Sequence, residues 1–172
     1  DRDELRTAIV DETTWRACYL CEFVDENYAV LPYEIITGCI DPTLPYRPDL
    51  LAIQQARELF VGVDVARKRH LFVIAYLERV STDQFVARGF VEMRNRPWDQ
   101  MEAELDRALR LPNVRGARID ATAMGSQFAE RAAQRFPVTC EGIEFTEPLK
   151  RNMASLMRRT FEQRRIAIPD HP

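Results

Sequence analysis

The sequence predicts an α/β fold, a mixed five-stranded sheet flanked by helices, and three observations predict it. Runs at Leu59 to Val65, His70 to Val80 and Gln84 to Met93 are rich in Val, Phe, Ile and Tyr. Short polar turns such as Ser81-Thr82-Asp83 join them, which reads as an antiparallel meander. Beyond Pro97, stretches with apolar residues at helical spacing alternate with two further extended runs, so the last two strands are reached through helices. Finally, 172 residues of which 46% are hydrophobic suffice for one substantial core.

Taken in order, Asp1 to Ile40 predicts two short helices, the first capped by Asp11 or Thr13 and the second running from Tyr33 to Cys39, with Gly38 near its end. Three prolines within Asp41-Pro-Thr-Leu-Pro-Tyr-Arg-Pro48 enforce an extended connector. A domain boundary is expected there, with residues 1–48 as a linker segment and 49–172 as the folded domain. Pro97 opens a helix that presents Trp98, Met101, Leu105, Ala108 and Leu109 on one face and stops before Pro112. Val114 to Asp120 is a fourth strand, Gly125 to Phe136 a helix, and Val138 to Phe145 a fifth strand. A long helix then directs Leu149, Met153, Leu156 and Phe161 inward, and Arg165 to Pro169 returns to extended structure. A right-handed crossover places the fourth strand parallel to a meander strand. This order matches the ribonuclease H fold, in which the first and fourth strands lie side by side at the centre of the sheet.

Composition narrows the function classes. Mean hydropathy is -0.33 and charges interrupt every long stretch, which excludes a membrane-spanning helix. The sequence itself holds no basic-then-apolar secretory segment. A start at Asp1 rather than Met and a stop at Pro172 read as a piece of a longer polypeptide, truncated at its C-terminus. Residues 1–58 hold 5 basic and 12 acidic side chains, whereas residues 59–172 hold 19 basic and 15 acidic, nearly all of the basic ones Arg. An Arg-rich half suits a polyanionic partner. Cys18 and Cys21 form a lone C-x-x-C without a second pair or nearby histidines, so zinc binding is not expected.

Two carboxylates stand out. Asp64 interrupts the apolar run Phe60-Val-Gly-Val-Asp-Val-Ala66, where burial would cost several kcal/mol, order of magnitude, without a partner or a metal. Asp120 closes the fourth strand just before the next helix. If the two strands are parallel neighbours, both carboxylates emerge at one edge of the sheet, and such hard oxygen donors suit Mg²⁺ or Mn²⁺. A pair of divalent ions would support phosphodiester hydrolysis with no nucleophilic side chain. Alternatives are missing: there is no G-x-S-x-G, no Cys/His pairing pattern, and none of the six glycines precedes Lys as a P-loop requires. Arg67, Lys68 and Arg69 follow Asp64 directly, and Lys150, Arg151, Arg158 and Arg159 lie on the long helix, as candidate contacts to a phosphate backbone. Arg164 and Arg165 at its end instead complement the helix dipole.

These residues resemble the nuclease domain of the large terminase subunit of tailed bacteriophages. Trp15-Arg-Ala-Cys-Tyr-Leu-Cys-Glu-Phe-Val-Asp-Glu26 and Leu31-Pro-Tyr-Glu-Ile-Ile36 are similar to the segment joining that family's ATPase to its nuclease. Val61-Gly-Val-Asp-Val-Ala66 resembles its first catalytic strand, and Ile119-Asp-Ala-Thr-Ala-Met-Gly-Ser-Gln-Phe-Ala-Glu130 its second acidic motif. Phe145-Thr-Glu-Pro-Leu-Lys150 and Arg165-Ile-Ala-Ile-Pro-Asp170 resemble its last helix and the following strand. The resemblance implies a metal-dependent endonuclease that cuts concatemeric double-stranded DNA during viral packaging, with Asp64 and Asp120 as metal ligands. It also implies an ATPase domain in the same polypeptide, a small terminase subunit and a portal as partners, and action in the cytoplasm of the bacterial host. The family's motor is missing from the sequence, and its third acidic ligand has no counterpart before Pro172; Asp170 belongs to the strand after the long helix and is not taken as that ligand. The competing readings are a catalytically silent DNA-binding or motor-docking module and another ribonuclease H-like enzyme, such as a resolvase or transposase.

Overall fold

The computed structural model describes residues 30–65, 71–122 and 125–171. Its elements, in chain order, are α1 (Tyr33–Thr37), α2 (Leu50–Gln55), β1 (Glu58–Asp64), β2 (Phe72–Ser81), β3 (Gln84–Met93), α3 (Trp98–Leu109), β4 (Val114–Asp120), α4 (Gly125–Arg135), β5 (Cys140–Ile143), α5 (Glu147–Glu162) and β6 (Ile166–Ala167). The expected first helix and the Cys18–Cys21 pair lie outside the described residues.

Six strands form one mixed sheet in the order β5-β4-β1-β2-β3-β6. The meander β1-β2-β3 is antiparallel, and β4 runs parallel to β1 at the centre, as the ribonuclease H order predicts. The sheet therefore has one strand more than the five expected. β6 pairs Ile166 with Phe85 and Ala167 with Val86, parallel to β3. A two-residue ladder is too short to leave a period-2 signature, so only its extended character was visible in the sequence. An isolated parallel bridge between Ile40 and Ile168 continues this edge.

Alternation decides which face is packed. In β1, Leu59, Val61 and Val63 are buried while Gly62 and Asp64 are exposed. On the buried side lie Met101, Leu105, Ala108 and Leu109 of α3, Phe128, Ala129 and Ala132 of α4, and Ile53 of α2. The Phe128 ring meets Phe72 edge-on at 5.6 Å, and Trp98 packs against Phe128 at the same centroid distance. Glu78 is the one buried charged side chain among the described residues; Arg88 pairs with it and the Arg57 amide donates to it at 3.0 Å.

Helix α2 was not expected. Asp49 caps it, accepting from the Leu51 amide at 2.9 Å, and Ile53 anchors it in the core. Its six residues directly follow the proline-rich connector, and they hide there because one buried residue makes no stripe. The connector itself is clamped to β3. Gly89, with φ of 119°, lets the chain pass where a Cβ would stand 2.7 Å from the Pro48 nitrogen, and the Phe90 amide donates to the Tyr46 carbonyl.

The expectation for α5 needs correction. Phe161 is buried and Leu149 half-buried, but Met153 and Leu156 stand out at 45% and 56% exposure. Helical periodicity specifies an apolar face without specifying a surface to cover it. Only the C-terminal end of α5 is tucked in, where the Cys39 thiol donates to the Phe161 carbonyl. No helix among the described residues is long and apolar enough to cross a membrane.

Candidate active site

Parallel pairing of β1 with β4 brings the two expected carboxylates together. Val63 is the register partner of Ile119, so Asp64 and Asp120 occupy the next step on adjacent strands, on the same face and at the same edge. Neighbouring strands place such residues about 4.8 Å apart. Their separation in the sequence leaves strand topology as the cause of this closeness.

The environment of Asp64 differs from the expectation. It stands at the exposed end of β1, where hydration offsets the cost of its charge. Apolar neighbours in the sequence belong to the opposite face, because the chain alternates. No hydrogen bond or ion pair engages the Asp64 carboxylate among the described residues. Asp120 is half-buried and held: its Oδ1 accepts from the Thr122 amide at 2.8 Å and from the Thr122 hydroxyl. The sequence signal for Thr122 is the Asp-x-Thr spacing of Asp120-Ala121-Thr122, in which a side-chain oxygen accepts from the backbone two residues on. Gly125 begins α4 directly against this turn, where a Cβ would lie 2.0 Å from the Asp120 carbonyl oxygen.

The basic residues divide by position. Arg67, Lys68 and Arg69 lie outside the described residues. β5 is parallel to β4, so α5 departs from the carboxylate edge, with Lys150 and Arg151 in its first turns. Arg158 and Arg159 lie eight residues on, about 12 Å along the axis toward the opposite edge. Lys150 pairs with Glu147 at 3.1 Å and Arg158 with Glu162 at 2.7 Å, so two of the four already have an anionic neighbour. Asp170 follows β6, three strands across from β1, about 14 Å away at the usual spacing.

Chemically, the pair offers hard oxygen donors, which fit a Mg²⁺-like ion, since Mg²⁺ is commonly held by one or two carboxylates with water completing its shell. Among the described residues no three His, Cys, Asp or Glu side chains gather as a larger ligand set. Thiol chemistry has no support there: burial raises the Cys39 thiol and pushes Cys140 up to about 11, which keeps both protonated near neutrality. A recess of about 550 Å³ between connector and sheet, lined by Tyr46, Leu50, Tyr76, Phe90, Glu104 and Arg107 among others, contains neither carboxylate.

With this geometry, a comparison of families decides the kinship: the model described as Terminase RNaseH-like domain matches residues 61–172. The chain belongs to that family. No curated protein matches it significantly. Among solved structures, the large terminase nuclease from thermophilic phage G20c is similar with a TM-score of 0.59 at 16% identity, covering 81% of this chain and 74% of that one. The same nuclease with bound magnesium gives 0.54 at 18% identity, covering 74% of this chain and 62% of that one. The HK97 bacteriophage large terminase gives 0.57 at 10% identity; the match spans 99% of this chain but 40% of the terminase. Further structures of the G20c nuclease carry zinc or cobalt. At these identities the likeness establishes the ribonuclease H-like fold of this terminase domain.

Proposed function

We propose that this domain is a metal-dependent DNA endonuclease in which Asp64 and Asp120 hold a divalent cation, Mg²⁺ or Mn²⁺. The observation that carries the reading is the parallel pairing of Val63 with Ile119, which puts Asp64 and Asp120 one residue further on along neighbouring strands. Ligands of open α/β sheets bind outside the carboxyl ends of the strands, where both residues stand. Metal-bound forms of a related nuclease support a divalent ion at such a fold.

When bound, the cation supplies a nucleophile at neutral pH and neutralises charge on a phosphodiester. Asp64, exposed and without a protein partner among the described residues, is open to both ion and substrate. Asp120 offers Oδ2, because Thr122 occupies Oδ1. Lys150 and Arg151, at the start of α5, are assigned to the DNA backbone, with Arg158 and Arg159 extending that track and Arg67, Lys68 and Arg69, shortly after Asp64 in the sequence, joining it. The two-ion form of the reaction needs a further acidic ligand, which the described residues do not contribute. We assign residues 1–48 to the linker and 49–172 to the nuclease domain, with the packaging ATPase, small subunit and portal as partners of the parent protein in the host cytoplasm, acting on concatemeric DNA.

Plasmid nicking tests this reading. With Mn²⁺ the chain converts supercoiled plasmid to open circles, EDTA abolishes conversion, and Asp64→Asn lowers it by more than about a hundredfold, beyond the cost of losing a partner to a ligand. Nicking that persists in EDTA or in Asp64→Asn would refute it. Duplex binding without nicking, in the same assay, marks the silent DNA-binding module.

A further inference from the structure

We infer that Thr122 is a positioning residue, which fixes the Asp120 carboxylate for metal binding; the inference rests on the two-carboxylate reading above. Two donors from one residue converge on one oxygen: the Thr122 amide reaches Asp120 Oδ1 at 2.8 Å and the Thr122 hydroxyl donates to the same atom. Hydrogen bonds to a charged acceptor are the stronger kind. Together they set the rotation of the carboxylate and leave Oδ2 without a donor among the described residues. Thr122 is itself held, because the Gly125 amide donates to its carbonyl at 3.0 Å and α4 starts against the Asp120 backbone. Asp120 closes a central strand, Gly125 opens a packed helix, and the hydrogen bond from Gly125 ties Thr122 to that helix start.

The side chain has little else to do. Thr122 is exposed, so its methyl group adds nothing to the core, and no other hydrogen bond engages its hydroxyl among the described residues. Removing the hydroxyl leaves the amide bond in place but frees the carboxylate to rotate about it. A cation must then order the ligand at the moment of binding, and affinity falls by that cost.

Calorimetric titration of the 172-residue chain with Mn²⁺ tests this. Thr122→Val weakens binding about tenfold, the lower end of the range for partners of metal ligands, while its melting temperature without metal stays near that of the parent. Thr122→Ser, which keeps the hydroxyl, binds as the parent does. Thr122→Ala lacks the hydroxyl without adding a methyl group, and serves if Thr122→Val folds poorly. Unchanged affinity in Thr122→Val and Thr122→Ala overturns the role of Thr122, as does a Thr122→Ser variant equally weak. If the parent chain binds no Mn²⁺, or Asp120→Asn binds it as well as the parent, the two-carboxylate reading falls and takes this role with it; loss in Asp120→Asn with none in Thr122→Val refutes Thr122 alone.

Discussion

Among the described residues the same turn is built twice. Asp41 Oδ1 accepts from the Thr43 amide at 2.9 Å and the Thr43 hydroxyl at 2.6 Å, the bonding found between Asp120 and Thr122. Local chemistry is therefore identical, and only placement separates the two. Across the bridge from Ile40 to Ile168, the residue at the step of Asp41 is Pro169, whereas the residue at the step of Asp120 is Asp64. An Asp-x-Thr turn is a structural device until a neighbouring strand sets a second carboxylate beside it.

Four substitutions test that contrast. The largest effect is expected from the carboxylates themselves: Asp120→Asn abolishes Mn²⁺-dependent nicking, a loss of more than about a hundredfold, and Asp41→Asn leaves it intact. Comparable losses in both would show that the turn matters irrespective of its neighbour. Next comes the support behind the turn. The Asp120 turn abuts a helix start at Gly125, where an added Cβ meets the Asp120 carbonyl at 2.0 Å. Gly125→Ala should cost about 1–3 kcal/mol in chemical unfolding, the usual penalty for overpacking, and weaken Mn²⁺ binding as the strand end shifts. Full retention of both stability and Mn²⁺ affinity would mean that the turn yields freely.

The smallest effect concerns Asp41. The Thr43 hydroxyl, then the Thr43 amide, hold its carboxyl below the usual range. A depressed carboxylate contributes stability above its unfolded value of about 3.9, and this contribution is lost as pH falls through the lower folded value. Thr43→Val therefore melts slightly earlier than the parent near neutrality, the two converge under strongly acid conditions, and Mn²⁺ affinity is unaltered. Melting curves across pH check the sign; a difference that grows on acidification would reverse it.

Much of this architecture was legible in the residues. Gln84–Met93 and Val114–Asp120 form strands with the expected ends, and Trp98–Leu109 a helix on the expected face, because each is long enough for its period to repeat. The neighbouring of the Asp64 and Asp120 strands was legible through the match of the element order to the ribonuclease H fold. What escaped has a common cause, dependence on partners distant in the chain. β6 exists because the Phe85 amide finds the Arg165 carbonyl, and α2 is anchored because Ile53 enters the core and its carbonyl accepts from the Asn113 side chain, sixty residues on. The outward face of α5 and the exposure of Asp64 are properties of what covers a surface, which periodicity does not encode.

The bridge between Ile40 and Ile168 also bears on the order in which the domain assembles. It joins residues near the two ends of the described chain, whereas the β2–β3 hairpin closes across a turn of two residues. The entropy lost on closing a loop rises with the logarithm of its length, so the hairpin is free to form early and the bridge comes late, once α5 has carried the chain back across the sheet. β6, with two paired residues, shares that timing. The β6 edge and the carboxylate strands then open on separate clocks. Fraying at Ile168 costs a few hydrogen bonds, but separating β1 from β4 demands that the whole core come apart.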